Sequence, residues 1–145
     1  MVPDQSLVSE YANQFSLPED MLMKQIKVES SWDEYAFRYE ADYFERYIRK
    51  NVHAKGFAFG PLAACSYGLL QIMLETAIEV GFNGQPYELF DSRTGLYWGC
   101  RKMRSIYDKF PDSYNQVLAI YNGGEGGNVE QPYRDQAYIN RVLAA

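Results

Sequence analysis

The chain has 145 residues, one ordinary domain's worth and enough to bury a core, with 47% hydrophobic and 23% charged residues, a balance that excludes intrinsic disorder. Lys and Arg number 14 against 19 Asp and Glu, a formal net charge of −5, and no basic run occurs, so the electrostatic footprint of a nucleic-acid binder is missing. No apolar stretch is long enough to span a bilayer, and the opening Met-Val-Pro-Asp-Gln has neither the basic nor the apolar region of a secretory signal.

Helical signals dominate, taken in chain order. Leu7, Val8, Tyr11 and Phe15 predict a first helix over 6–15. Ser16 as a capping hydroxyl and Pro18 in the first turn predict a second, running to about Ser30 with Leu22, Ile26 and Glu29 on one face. A third is expected over 42–50, exposing Glu45, Arg46, Arg49 and Lys50. Residues 51–67, with Gly56, Gly60 and Pro61, lack periodicity and read as a long loop with room for one short hairpin; such loops inside compact domains are usually functional. Residues 69–80 are expected to be helical, stopped by Gly81. A single turn over 86–90 follows, then a long helix capped by Asp91 or Ser92 and ended by Pro111. A helix over 112–121 is expected to break at Asn122-Gly123-Gly124, and one over 133–143 closes the chain. The expected fold is all-α and a single domain over 1–145.

The side-chain inventory narrows the chemistry. Cys65 and Cys100 form no disulfide framework, and with one His and no C-x-x-C spacing they build no zinc site; they read as small buried apolar residues. The 13 Tyr carry flat apolar rings with hydrogen-bonding tips, which suit sugar faces as well as core edges. Glu29 breaks the apolar stripe of its helix. A carboxylate there is partly desolvated, which favours its protonated form and lets it donate a proton to a glycosidic oxygen. On position alone, a last-turn Glu reaching water accounts for the pattern better.

Context decides in favour of chemistry. Glu29-Ser30-Ser31-Trp32 is followed by Ser66-Tyr67-Gly68-Leu69-Leu70-Gln71-Ile72-Met73, then Ala119-Ile120-Tyr121-Asn122-Gly123-Gly124, then Tyr138-Ile139-Asn140-Arg141. This ordered set, over about residues 7–143, resembles the lytic transglycosylase catalytic domain, a relative of goose-type lysozyme. The resemblance implies a lysozyme-like helical fold with a cleft. It makes Glu29 the acid and base and Ser30 the hydroxyl neighbour on its helix. It makes Gly68, Leu69 and Gln71 a strand-to-helix corner that meets the sugar, with Tyr121 and Asn122 opposite and Tyr138 a phenol pointing towards the carboxylate. The chain departs from the family pattern in two ways. Glu29 and Gly68 are 39 positions apart, which implies an insert at about 38–66 and leaves Ser66 as the candidate for the family's connecting serine. Leu70 stands where methionine is usual, a volume-conserving swap.

Glycosidases usually flank the bond with two carboxylates. Here Asp33, Glu88, Asp91 and Glu125 are available but none lies in a recognisable catalytic pattern. One acid suits the family's non-hydrolytic route, in which the bond between N-acetylmuramic acid and N-acetylglucosamine is cut with formation of a 1,6-anhydro ring. Hydrolysis by a muramidase of the goose-lysozyme kind is the near alternative, and a non-catalytic glycan-binding or virion structural domain the distant one. The resemblance implies peptidoglycan strands as partner, no metal or other cofactor, a monomer, and action at the periplasmic or extracellular cell wall. With no export signal read, phage delivery, a virion-associated enzyme or a domain excised from a longer protein would bring it there.

Overall fold

The computed structural model describes residues 5–145; residues 1–4, which carry most of the N-terminal stretch read above, lie outside it. Helices α1 (Gln5–Gln14) and α2 (Glu19–Ser30) are followed by strand β1 (Phe37–Tyr39). Next come helix α3 (Ala41–Tyr43), which runs into a π-helical turn (Phe44–Ile48), and a 3₁₀ segment (Phe57–Ala64). Strands β2 (Cys65–Tyr67) and β3 (Ile72–Met73) lead into α4 (Leu74–Glu79), a 3₁₀ turn (Pro86–Phe90) and the helices α5 (Ser92–Lys109), α6 (Tyr114–Gly123) and α7 (Gln136–Ala144).

The main core is helical. Leu22 and Ile26 of α2 meet Leu96 and Met103 of α5, Leu118 of α6 and Ile139 of α7, each fully buried. Burial of one such side chain stabilises by about 1.5–3 kcal/mol. The long helix α5 shows why the pattern works: Leu96, Cys100 and Met103 fall on one stripe, and Asp91 caps it by accepting from the Thr94 amide at 3.0 Å. Gly99 lies on the same stripe because a Cβ there would meet Leu70 Cδ1 at 2.6 Å, so α5 presses against the turn over 68–71.

The fold is helical as expected, and it carries one small antiparallel sheet in the order β1-β2-β3, pairing Arg38 with Ser66 and Ser66 with Met73. Only β2 comes from the loop over 51–67, so the hairpin allowed for there is instead built with partners outside it. Residues 69–80 are not one helix: Gly68 (φ 75°) and Gln71 (φ 49°) are left-handed and make a tight turn, and α4 starts only at Leu74. Ser16 does not cap α2; Pro18 is the capping residue, with extended backbone, and the first turn is acidic with Glu19 and Asp20. Residues 41–43 make a short α turn and 44–48 widen into a π turn, so no regular helix forms there. Ser113 caps α6, so that helix begins later than expected and carries Asn122 and Gly123 within it, ending at Gly124 (φ 81°).

Two smaller apolar clusters lie beyond the helical core. One packs Tyr67, Ile72, Leu74 and Leu89 between sheet and α4. The other joins Ile48 to Ala63 and Ala64, tying the two ends of the insert. Glu75, buried in α4, accepts from the amides of Lys55 and Gly56 and so pins the middle of the insert.

Candidate active site

Between the helical core and the sheet runs a cleft of about 990 Å³ whose lining includes Glu29, Ser66, Gln71, Tyr121 and Asn122. Glu29 reaches it from the last turn of α2. That helix stops because Ser31 and Trp32 are both left-handed, which turns the chain across to β1 and leaves Glu29 at the rim of the core. Two successive left-handed residues, one of them a bulky Trp, are uncommon and cluster at functional sites.

Burial pushes the Glu29 carboxyl up to about 7. The Tyr138 hydroxyl, Arg141 and Arg38 pull against that rise, and Glu40 adds to it. Desolvation wins because the carboxyl lies against the apolar stripe while the guanidinium groups stay at the exposed rim. The group is therefore divided between acid and carboxylate near neutrality, the state required of one residue that must first give and then take a proton.

Tyr121 is anchored by donating from its hydroxyl to the Leu70 carbonyl at 2.8 Å, and burial raises its phenol well above the ordinary range. This bond ties α6 to the turn over 68–71 and fixes the width of the cleft beside Glu29. Gln71 holds its left-handed backbone with its own side chain, whose Nε2 donates to Ala36 O at 3.0 Å and to Gly68 O at 3.1 Å. Both partners are carbonyls, so the amide nitrogen must face them, and what the residue can offer a ligand is its oxygen, an acceptor. Asn122 Nδ2 donates to Asp135 at 3.0 Å, which leaves its carbonyl end on the cleft side.

The other expected site residues lie behind the lining. Ser30 is buried and donates to Ile26 O at 3.0 Å, so its hydroxyl is spent within the helix. Leu69 belongs to the main core. Gly68 is required where a Cβ would meet the Leu89 carbonyl at 2.8 Å, a packing constraint. Tyr138 is buried beside Glu29, with Arg141 stacked 5.8 Å from its ring centroid. Of the alternative acids, Asp33 accepts from the Tyr35 amide, Glu88 from Gln85 and Asp91 from Thr94, all as turn or helix caps. Glu125 does line the cleft, paired with Lys109 at 2.8 Å.

The insert contributes its ends, not its middle: Arg38, Glu40, Tyr43, Tyr47 and Ser66 face the cleft, whereas 51–62 do not. Arg38, Glu40 and Arg141 were not singled out in the sequence as part of the site. The signals existed. Phe37-Arg38-Tyr39-Glu40 alternates with the period of a strand, placing Arg38 and Glu40 on one face, and Arg141 lies one helical turn after Tyr138. Among the described residues, no three His, Cys, Asp or Glu side chains come together as a metal would need, and no helix is long and apolar enough to cross a membrane.

Comparison with known proteins follows the same outline. The sequence profile of the family described as "Transglycosylase SLT domain" matches residues 6–141. The fold is similar to that of the 70 kDa soluble lytic transglycosylase SLT70 from Escherichia coli, with a TM-score of 0.69 and 20% identity over 99% of this chain. The chain spans 23% of that protein's length. The sequences of curated proteins yield no match.

Proposed function

This chain belongs to the transglycosylase SLT domain family, and on that premise we propose that it cuts peptidoglycan at the β-1,4 bond between N-acetylmuramic acid and N-acetylglucosamine. Glu29 donates its proton to the glycosidic oxygen, and the bond to C1 of the muramic acid breaks. The substrate's own acetamido oxygen closes on C1 and carries the positive charge. Glu29, now a carboxylate, removes the proton of the C6 hydroxyl; that oxygen attacks C1, the acetamido group is released and a 1,6-anhydro ring forms. No water is consumed, and Glu29 ends protonated as it began.

The observation that carries this reading is a cleft carboxyl, Glu29, lifted to about 7 by burial; of the other carboxyls in the lining, Glu40 and Glu125 are held in ion pairs with Arg38 and Lys109, and Glu79, also raised by burial, is drawn back by Lys102. Gln71 and Asn122 present acceptor oxygens suited to sugar hydroxyls and acetamido N–H groups. Tyr121 and Tyr138 remain protonated at neutral pH, so their phenols can only soften, never replace, the charge on Glu29.

Hydrolysis is favoured by one observation, that Glu40 is close enough to raise the Glu29 carboxyl and so offers a second carboxylate for an activated water. Mass spectrometry of muropeptides released from purified sacculi separates the two, because hydrolysis adds one water to each product end. Anhydro ends support the reading; hydrated ends only would overturn it. Action is then at the cell wall, by a monomer. A phage particle, holin-made holes or a longer exported protein would bring the domain there.

A further inference from the structure

Behind Glu29, on the side away from the cleft, lies a polar residue that the reaction described above does not use. Gln25 is one helical turn before Glu29 on α2, so the two share a face, and it is fully buried in the main core. Its Nε2 is 3.6 Å from the Met103 sulfur, a weak acceptor that cannot donate. The amide oxygen must then be the end turned towards Tyr138 on α7, which bears on both Gln25 and Glu29. Gln25 Oε1 and the Tyr138 hydroxyl are both buried, and neither has a partner in hydrogen-bonding geometry. A buried acceptor and a buried donor that both fall short of full hydrogen-bonding geometry are each costly, and each calls for an explanation.

We propose that Gln25 is a positioning residue for Glu29 acting through Tyr138, whose hydroxyl donates to Gln25 Oε1 while Glu29 is protonated and swings to the Glu29 carboxylate once it is ionised. The hydroxyl keeps its own proton throughout; only its direction changes, so nothing is transferred and the balance of the reaction is untouched. The proposal rests on the reading of Glu29 as acid and base. It explains an amide in a core position where an apolar residue would pack without cost. Were Tyr138 without a second acceptor, it would favour the ionised form of Glu29 alone. With Gln25 present, both protonation states have a satisfied neighbour, which suits a residue that must change state twice per turnover.

Other charges reach the same groups and must be kept constant in a test. Arg141 of α7, Arg38 and Glu40 at β1 and Tyr121 of α6 face Glu29, and Tyr114 of α6 faces Tyr138. None of them is altered by Gln25→Met, which keeps volume and removes the acceptor. The variant should lower the midpoint of the Glu29 carboxyl, read by ¹³C NMR in the folded protein without substrate, by about half a pH unit or more. The rate on the alkaline side should fall about threefold in step, because the acid form starts the cycle. Tyr138→Phe should move the midpoint the other way, and adding Gln25→Met to it should then change nothing. A role in packing alone would alter melting but leave the midpoint where it was, and that result overturns the proposal. In the wild type, which needs no variant to fold, the Tyr138 phenolic carbon should shift with the Glu29 midpoint, and a flat signal also overturns it. Failure of the Glu29 reading is distinct: it appears as a Glu29→Gln enzyme that still cleaves.

Discussion

The two walls of the cleft are built on different foundations. The helical wall carries Glu29 and Tyr121 on elements that share one large apolar core; both are half-buried, and Tyr121 is fixed by its hydrogen bond to the Leu70 carbonyl. The sheet wall carries Arg38, Glu40, Tyr43 and Tyr47 over two small clusters, held by the Arg38–Glu40 ion pair and the Tyr43–Tyr47 ring contact. Desolvation brings a carboxyl to about 7 on the first wall, at Glu29; on the second it raises the Tyr43 phenol. Ion pairs in water, which are worth about 0–1 kcal/mol, dominate the second. On the proposed reading, the proton chemistry lies on the wall built over the larger core.

The comparison breaks most sharply at Glu29. Glu29→Gln is nearly isosteric but moves no proton, so cleavage of sacculi should drop about 10²–10⁴-fold while circular dichroism shows the fold intact. A variant that keeps most of its rate would place the chemistry on the other wall. Core truncation should separate the walls by stability. Leu118→Ala, in the helical core, should cost about 2–5 kcal/mol in denaturant unfolding. Ile48→Ala should fall at or below the lower end of that range and show first as faster hydrogen exchange in the insert, before global unfolding. Equal and fully cooperative losses would mean one core, not several.

A third measurement concerns pH. The Glu29 carboxyl sits at about 7 in the fold against an ordinary 4.5, so the folded state binds the proton more tightly. Its contribution to stability is fully present below about 4.5 and is lost as pH rises through about 7. Glu29→Gln lacks this slope. Its melting temperature should gain on that of the wild type across this window, by the equivalent of roughly 3 kcal/mol, and the two should run parallel above it. The wild-type rate should fall through the same midpoint as pH rises. Parallel melting curves throughout would show that Glu29 is solvated and that its wall is no different from the other. The smallest effect is expected at the rim: Lys109→Ala removes the exposed bridge to Glu125 and should change stability by less than about 1 kcal/mol, with the difference vanishing in high salt.

Much of this was legible in the chain itself, and the division follows the range of the interactions. Helices α1, α2, α5 and α7 were readable because their apolar residues recur with the helical period, and Asp91 and Pro111 mark the ends of α5 by local chemistry. Glu29 was visible because it interrupts such a stripe, and the ordered motifs around it identified the family. The three-strand sheet was not legible. Its strands are two or three residues long and come from positions 37, 65 and 72, so no local periodicity accumulates and pairing is settled only when distant segments meet. The breaking of 69–80 was likewise a tertiary decision, since Gln71 is an ordinary helix former that becomes left-handed only because its amide finds Ala36 O, 35 positions away. Burial made the same selection among the site residues. Ser30 and Leu69 carry the expected letters but turn inward, while Arg38, Glu40 and Arg141, unremarkable in sequence, are brought to the carboxyl by β1 and α7. A sequence records which groups are available; the electric environment that makes one carboxyl an acid near neutrality depends on which others fold against it.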